Sequence, residues 1–183
     1  MRREFHPSVS RLTGCQLGQS KRKGDIISPI ESIQQFYGEG VQSSDWLEVE
    51  QSMINQFGQS TYDSDWLHTD PERAKKESPY GGTIAFGFWT VSTMTYFGRQ
   101  ILERPYPGDA LYGLNYGFDR LRLISPVRVG RKIRAHMQLM NIEDRGENQF
   151  LVKTDFRMEV DDSDKPAMMA EWLFLLVFPP AAD

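Results

Sequence analysis

Asp63 and His68 are the residues whose types and spacing first suggest chemistry. A carboxylate and an imidazole five residues apart, in the stretch TYDSDWLHT between two helix-like segments, can converge on one small volume and there bind and polarise a water. The same residues also suit plainer work, with Asp63 capping a turn and His68 bonding to main chain ahead of Asp70. A second element is the run Gly81-Gly82-Thr83-Ile84-Ala85-Phe86-Gly87, which leads into an apolar segment. The first N–H groups of a helix have no partner within it, so the Gly87 amide could polarise a carbonyl or hold an oxyanion. The alternative is a glycine that lets a strand cross the helix closely. A third element is basic: Arg120, Arg122, Arg128, Arg131, Lys132 and Arg134 fall within fifteen positions that contain no acid. Such a run suits the phosphates of a coenzyme or an acidic carrier surface, and equally a solvated sheet edge that charge protects from pairing. There is no P-loop and no GxGxxG run, and His6, His68 and His136 lack metal-ligand spacing, so no metal is expected.

The elements that must position these residues follow from apolar period. Residues 30–37 repeat at helical spacing and stop at Gly38 and Gly40. Leu47 and Val49 alternate, and Met53, Ile54 and Phe57 then recur as a helix ending near Ser60. Asp70-Pro71 opens another helix, with aspartate as N-cap and proline at the first position. The apolar residues of 83–102 cover nearly the whole circumference of one long helix, about 30 Å long and enclosed on all sides. Four alternating runs follow, around Tyr112 to Phe118, Ile133 to Leu139, Val152 to Val160 and Trp172 to Phe178. Turn residues separate them at 125–130, 143–146 and 161–166, which predicts an antiparallel meander covered by the helix. The class is α+β.

With 183 residues the chain has room for one domain, and its 39% hydrophobic and 25% charged content is that of a globular protein. Residues 1–29 read as a basic, disordered extension and 30–183 as the folded domain. A net charge of −4 argues against nucleic-acid binding. Hydroxyls, Arg99 and Gln100 within residues 83–102 argue against a membrane span. The lone Cys15 excludes an internal disulfide and fits a reducing compartment, so the cytoplasm is expected, with an organelle transit peptide the alternative reading of the basic N-terminus.

The stretch FGQSTYDSDWLHTDPERAKKESPYGGTIAFGFWTVS resembles the signature of MaoC-like dehydratases, the (R)-specific enoyl-CoA hydratases, in which a D-x4-H loop is followed by a helix-opening I-x-H-G. SDWLEVEQSMINQF before it and LNYGFDRLRLISPVRVG after it are similar to the flanks of the nodulation protein N branch, so the likeness runs from about residue 30 to the end. The resemblance implies a hot-dog fold, an antiparallel sheet wrapped around a central helix, and a homodimer with acyl-thioester tunnels near its interface. It implies Asp63 and His68 as the catalytic pair and Gly87 as the N–H donor to the thioester carbonyl. It places Ser92 or Thr95 near a supporting helical hydroxyl. The implied reaction adds water to C3 of a 2-enoyl thioester, with a proton to C2, or reverses this. Coenzyme A or an acyl carrier then enters as part of the substrate, with no separate cofactor, and Arg120, Arg122 and Arg128 are candidates for binding it. Tyr62, Asp65-Trp66 and Phe86 depart from the pattern, Phe86 standing where I-x-H-G has its histidine. Trp66 and Phe86 are expected to make the substrate site smaller and more apolar. The competing readings are a non-catalytic hot-dog binding or assembly protein and a hot-dog thioesterase.

Overall fold

The computed structural model describes residues 27–180. Residues 1–26 of the expected basic extension, His6 and Cys15 among them, lie outside the described residues.

Helix α1 (Pro29–Tyr37) begins one residue before the expected start, so Ser28 and Pro29, read as the end of the disordered extension, instead cap and open the helix. Ser28 Oγ accepts from the Glu31 N–H and the Glu31 carboxylate accepts from the Ser28 N–H, a reciprocal cap, with Pro29 at the first helical position. Gly38, at φ +65°, ends it. Two short strands, β1 (Gln42–Ser43) and β2 (Leu47–Glu48), lead into α2 (Gln51–Thr61), which stops at Tyr62 in the left-handed conformation. The short helices α3 (Trp66–Thr69) and α4 (Pro71–Glu77) are capped by Asp65 on the Leu67 N–H and by Asp70 on the Arg73 N–H.

The long helix differs from expectation at its start and its middle. Residues 83–85 are extended: the Ala85 N–H donates to Val127 O at 2.8 Å and the Val129 N–H to Thr83 O at 3.0 Å. The helix opens only at Gly87, as α5 (Gly87–Ser92), and continues beyond Thr93 as α6 (Met94–Leu102). Hydrogen bonds from Thr93 N–H to Trp89 O and from Phe97 N–H to Thr93 O carry the axis across the break. Thr93 Oγ1 donates to Thr90 O at 2.7 Å, and hydroxyls that bond back in this way bend helices.

Four long strands follow: β3 (Tyr112–Leu123), β4 (Lys132–Gly146), β5 (Gln149–Val160) and β6 (Ser163–Val177). All pairings are antiparallel, but the order is β1-β4-β5-β6-β3, with β2 also on β4. Only β4, β5 and β6 form a meander. β3 crosses to the far edge beside β6, because residues 127–129 are held to residues 83–85 and start β4 on the other side of the sheet. The expected turn at 143–146 is strand; the reversal falls on Glu147 and Asn148, both left-handed, which is the conformation a two-residue hairpin needs. The expected turn at 161–166 tightens to two residues, Asp161 and Asp162.

The inward positions of the sheet, Ile133, Ala135, Met137, Val152, Phe156, Met158 and Met168, meet Met94 and Phe97 of the helix, all nearly free of solvent. The sheet encloses one side of the helix. The opposite stripe, Phe88, Ser92, Thr95, Tyr96, Arg99 and Gln100, is exposed, so an apolar circumference did not mean enclosure on all sides. Among the described residues no helix is long and apolar enough to cross a membrane.

On the outer face, Glu159 accepts from Arg134 Nε at 2.7 Å and from His136 Nε2 at 2.6 Å, while His136 Nδ1 bonds Ser43 Oγ at 2.7 Å across the β1–β4 pair. The Arg134 hydrogen bond, then that from His136, holds the Glu159 carboxyl below the usual glutamate range. A lowered carboxyl contributes stability fully above its ordinary value of 4.5 and loses it as pH falls through the lowered one. The melting-temperature advantage of the natural chain over Glu159→Gln should therefore be present at neutral pH and shrink in acid; an advantage unchanged at pH values well below the ordinary glutamate range would contradict the pairing. A second expectation concerns Thr154, whose buried hydroxyl has no partner among the described residues. Thr154→Val keeps the shape and removes the unpaired group, and should raise unfolding stability by about 1 kcal/mol in urea titration.

Candidate active site

His68 is fixed from three sides. Its Nδ1 lies 2.8 Å from Ile84 O, and since a carbonyl can only accept, Nδ1 carries a proton, so that in the neutral ring the lone pair lies on Nε2. The His68 carbonyl accepts from Gln51 Nε2 at 2.7 Å, and Gln51 Oε1 in turn accepts from Thr83 Oγ1 at 2.5 Å. The Ile84 N–H donates to Leu67 O at 3.2 Å. Residues 83–85 thus bond the helix-opening strand to the α3 turn as well as to residues 127–129. The imidazole face is covered by the buried Phe86 ring, 4.0 Å between centroids.

His68 and Gly87 line the same cavity, of about 260 Å³, with Thr90, Leu123, Ser125 and Pro126 among its walls. As the first amide of α5, the Gly87 N–H has no partner within the helix. An added Cβ at Gly87 would fall 2.4 Å from Leu123 Cδ1, so glycine here also admits β3. Both sequence readings of Gly87, open amide and close packing, describe the same position.

Asp63 is placed differently. Its Oδ1 accepts from the Asp65 N–H at 3.2 Å, the turn-capping role, and it lines a separate cavity of about 480 Å³ with Asn55, Gly58, Gln59 and Tyr62. Asp63 and His68, expected to converge on one solvent site, thus line two different cavities. The Phe86 ring lies against both sides: its Cζ is 3.2 Å from where a Gly58 Cβ would sit, on the wall of the Asp63 cavity, and its face meets His68. Trp66, expected to narrow the site, lines neither cavity and instead stacks under the Arg73 guanidinium, 4.3 Å from the ring centroid.

The helical hydroxyls are turned to their own helix. Ser92 Oγ donates to Phe88 O at 2.8 Å and Thr95 Oγ1 to Ser92 O at 3.1 Å; both residues are exposed and neither lines the His68 cavity. Thr90 does line it. Sequence reasoning missed Thr90, three residues beyond Gly87 and hence on nearly the same side, and missed Gln51, for which no spacing gave a signal. The basic run is divided among acids from other strands. Arg120 faces Glu171 at 3.5 Å, Arg128 and Arg131 share Asp162, and Arg134 holds Glu159. Arg122 bonds Leu121 O and has no acid partner among the described residues. No group of three metal-ligating side chains occurs among the described residues.

This geometry can be set beside known proteins. Nodulation protein N of Rhizobium leguminosarum bv. viciae is 35% identical over 143 residues, 78% of this chain and 88% of that protein. The 3-hydroxyacyl-thioester dehydratase Z of Mycobacterium tuberculosis (strain ATCC 25618 / H37Rv) is 38% identical over 134 residues, 73% of this chain and 86% of that one. In fold, the solved monoamine oxidase regulatory protein from Archaeoglobus fulgius overlays with a TM-score of 0.65 at 22% identity, covering 78% of this chain and 91% of that chain. The MaoC like domain matches residues 32–160, and the helix on its antiparallel sheet is the hot-dog fold: this chain belongs to the MaoC-like dehydratase family, in its nodulation protein N branch.

Proposed function

We propose that this chain is a hydro-lyase that adds water to 2-enoyl thioesters, or removes it from 3-hydroxyacyl thioesters, of coenzyme A or an acyl carrier. The observation that carries the reading is the pairing, in one cavity, of the Gly87 amide, which has no partner within its helix, with an imidazole whose Nδ1 bonds Ile84 O. The Gly87 N–H would donate to the thioester oxygen and stabilise the charge that gathers there as C3 is attacked. His68 Nε2 would take a proton from the water whose oxygen bonds to C3, and C2 would receive a proton as the enolate collapses. Asp63 is the second partner for that water, supported by its place in the D-x4-H loop. The dehydratase named above, 38% identical, favours the same reaction type. Arg122 and Lys132 are the cations of the basic run left to meet a carrier phosphate.

A second reading has an observation of its own. Asp63 opens into a separate cavity and Phe86 caps His68, the arrangement of a site that binds thioesters without turning them over. A panel of 2-enoyl-CoA substrates followed by loss of enoyl-thioester absorbance separates the two. Turnover by the natural chain, lowered about 10²- to 10⁴-fold in kcat by His68→Gln and by Asp63→Asn, is expected. Binding without turnover would establish the second reading, and release of free thiol would establish a thioesterase.

The site also sits beside an unpaired edge. Among the described residues β3 has only β6 as neighbour, and along it Tyr112, Leu114, Tyr116 and Phe118 are exposed, as are Phe88 and Tyr96 on the helix. So much apolar surface reads as an interface, and a second copy of the chain, added along β3, would cover it. Sedimentation should give twice the 21.1 kDa chain mass at micromolar concentration, and Leu114→Lys should shift it toward the monomer. A monomer in both cases would remove the dimer.

A further inference from the structure

A cavity outside the His68 site lies between α6 and the strands β3 and β6. It holds about 220 Å³, and its walls include Leu102, Met137, Trp172 and Phe174. The rings of Trp172 and Phe174 come close because Gly98 and Gly113 face them: an added Cβ would fall 3.4 Å from Trp172 Cζ3 and 2.2 Å from Phe174 Cε1. Its charged lining side chains, Arg99 and Arg104, are both cations, and Tyr37, Thr95 and Asn115 are its neutral polar groups. Tyr37, only 6% exposed, lines it with its phenol. Burial pushes the Tyr37 phenol up, so it remains an O–H donor at any physiological pH. Asn115 spends its carbonyl on Trp172 Nε1 at 3.1 Å, which leaves its NH₂ group to donate.

Arg99 and Arg104 also line the cavity, and neither has a carboxylate partner among the described residues, in contrast to Arg73, Arg120, Arg128, Arg131 and Arg134. Both guanidiniums are exposed and stand where the aromatic walls of the cavity meet solvent. Two cations with no acid partner beside an apolar space are complemented by an anion carried on an aliphatic chain. A carboxylate fits the fork of an arginine.

We propose that this cavity binds the carboxylate end of an aliphatic ligand, and that the substrate is accordingly an ω-carboxyacyl thioester rather than a methyl-ended one. The substrate half of this rests on the hydro-lyase reading above. Gly98 lies eleven residues beyond Gly87, about 16 Å along the axis and about 20° from the same side of the helix. A thioester oxygen at the Gly87 amide and a carboxylate at Arg99 and Arg104 are then the two ends of one medium-length chain. Val91 and Met94 occupy the same side between them, and an unbranched methionine repacks readily.

The test uses the full chain in two assays. In calorimetry with the monomethyl ester of dodecanedioic acid, the natural protein should bind, and the Arg99→Gln/Arg104→Gln double variant should bind at least about tenfold more weakly, as should be seen in smaller measure for Tyr37→Phe. In the hydration assay, ω-carboxy-2-dodecenoyl-CoA should exceed 2-dodecenoyl-CoA in kcat/KM, and the double variant should lose that preference while keeping its rate on the methyl-ended substrate. Absence of binding, or equal binding by the natural chain and the double variant, would overturn the proposal. Turnover of both substrates without preference would overturn it and leave the hydro-lyase reading standing. Arginine-dependent binding with no turnover of either substrate would keep the carboxylate site and remove the reaction.

Discussion

Residues 83–85 are buried, and a buried main chain must pair every polar group it carries. The chain meets this demand on two sides at once. Thr83 O and the Ala85 N–H are taken by residues 127–129, Ile84 N–H by Leu67 and Ile84 O by His68, and the Thr83 hydroxyl by Gln51. That one extended segment therefore fixes where the helix begins, which side of the sheet β4 starts from, and which nitrogen of His68 is bare. Were it helical, as its apolar period suggests, the Gly87 amide would bond within the helix and the His68 ring would lose its acceptor.

The consequences run outward from there. Because 127–129 are held next to 83–85, β4 cannot pair with β3, and β3 is left on the far edge with its aromatic and leucine side chains in the open. Because the helix starts at Gly87, Thr90 and not Ser92 or Thr95 shares the cavity with His68. The core of Phe97, Phe156, Met158 and Ile133 holds the helix to the sheet but does not choose among these arrangements; hydrophobic burial is non-directional, whereas the pairing of buried amides is directional.

This division explains what was legible in the sequence. Local signals were strong: the Gly38 stop, the Asp70 cap and the alternation of β4 to β6 all appear where the residues imply. What failed to show was decided by partners distant in sequence. The apolar run at 83–86 suits a helix or a buried strand equally until residues 127–129 are beside it. Glu143-Asp144-Arg145-Gly146 has turn composition, yet pairing with residues 149–151 carries it as strand and moves the reversal to Glu147 and Asn148. The acid-free stretch of Arg120 to Arg134 stands out in sequence because its acids, Glu159, Asp162 and Glu171, come from β5, β6 and the turn between them. The site was legible in the same measure: the family loop was recognisable, whereas the Gln51 clamp and the separation of Asp63 from His68 belong to the tertiary arrangement.

The central claim is that the strand of residues 83–85 sets the chemistry of His68 by holding its Nδ1 proton on Ile84 O. Nitrogen-15 NMR of the imidazole in the folded chain tests it most directly, since the two ring nitrogens differ in shift and in coupling to the ring protons according to which is protonated. At a pH where His68 is neutral, the account predicts a protonated Nδ1 with slow exchange and an unprotonated Nε2. A neutral ring protonated on Nε2, or one averaging between the two forms, would contradict it.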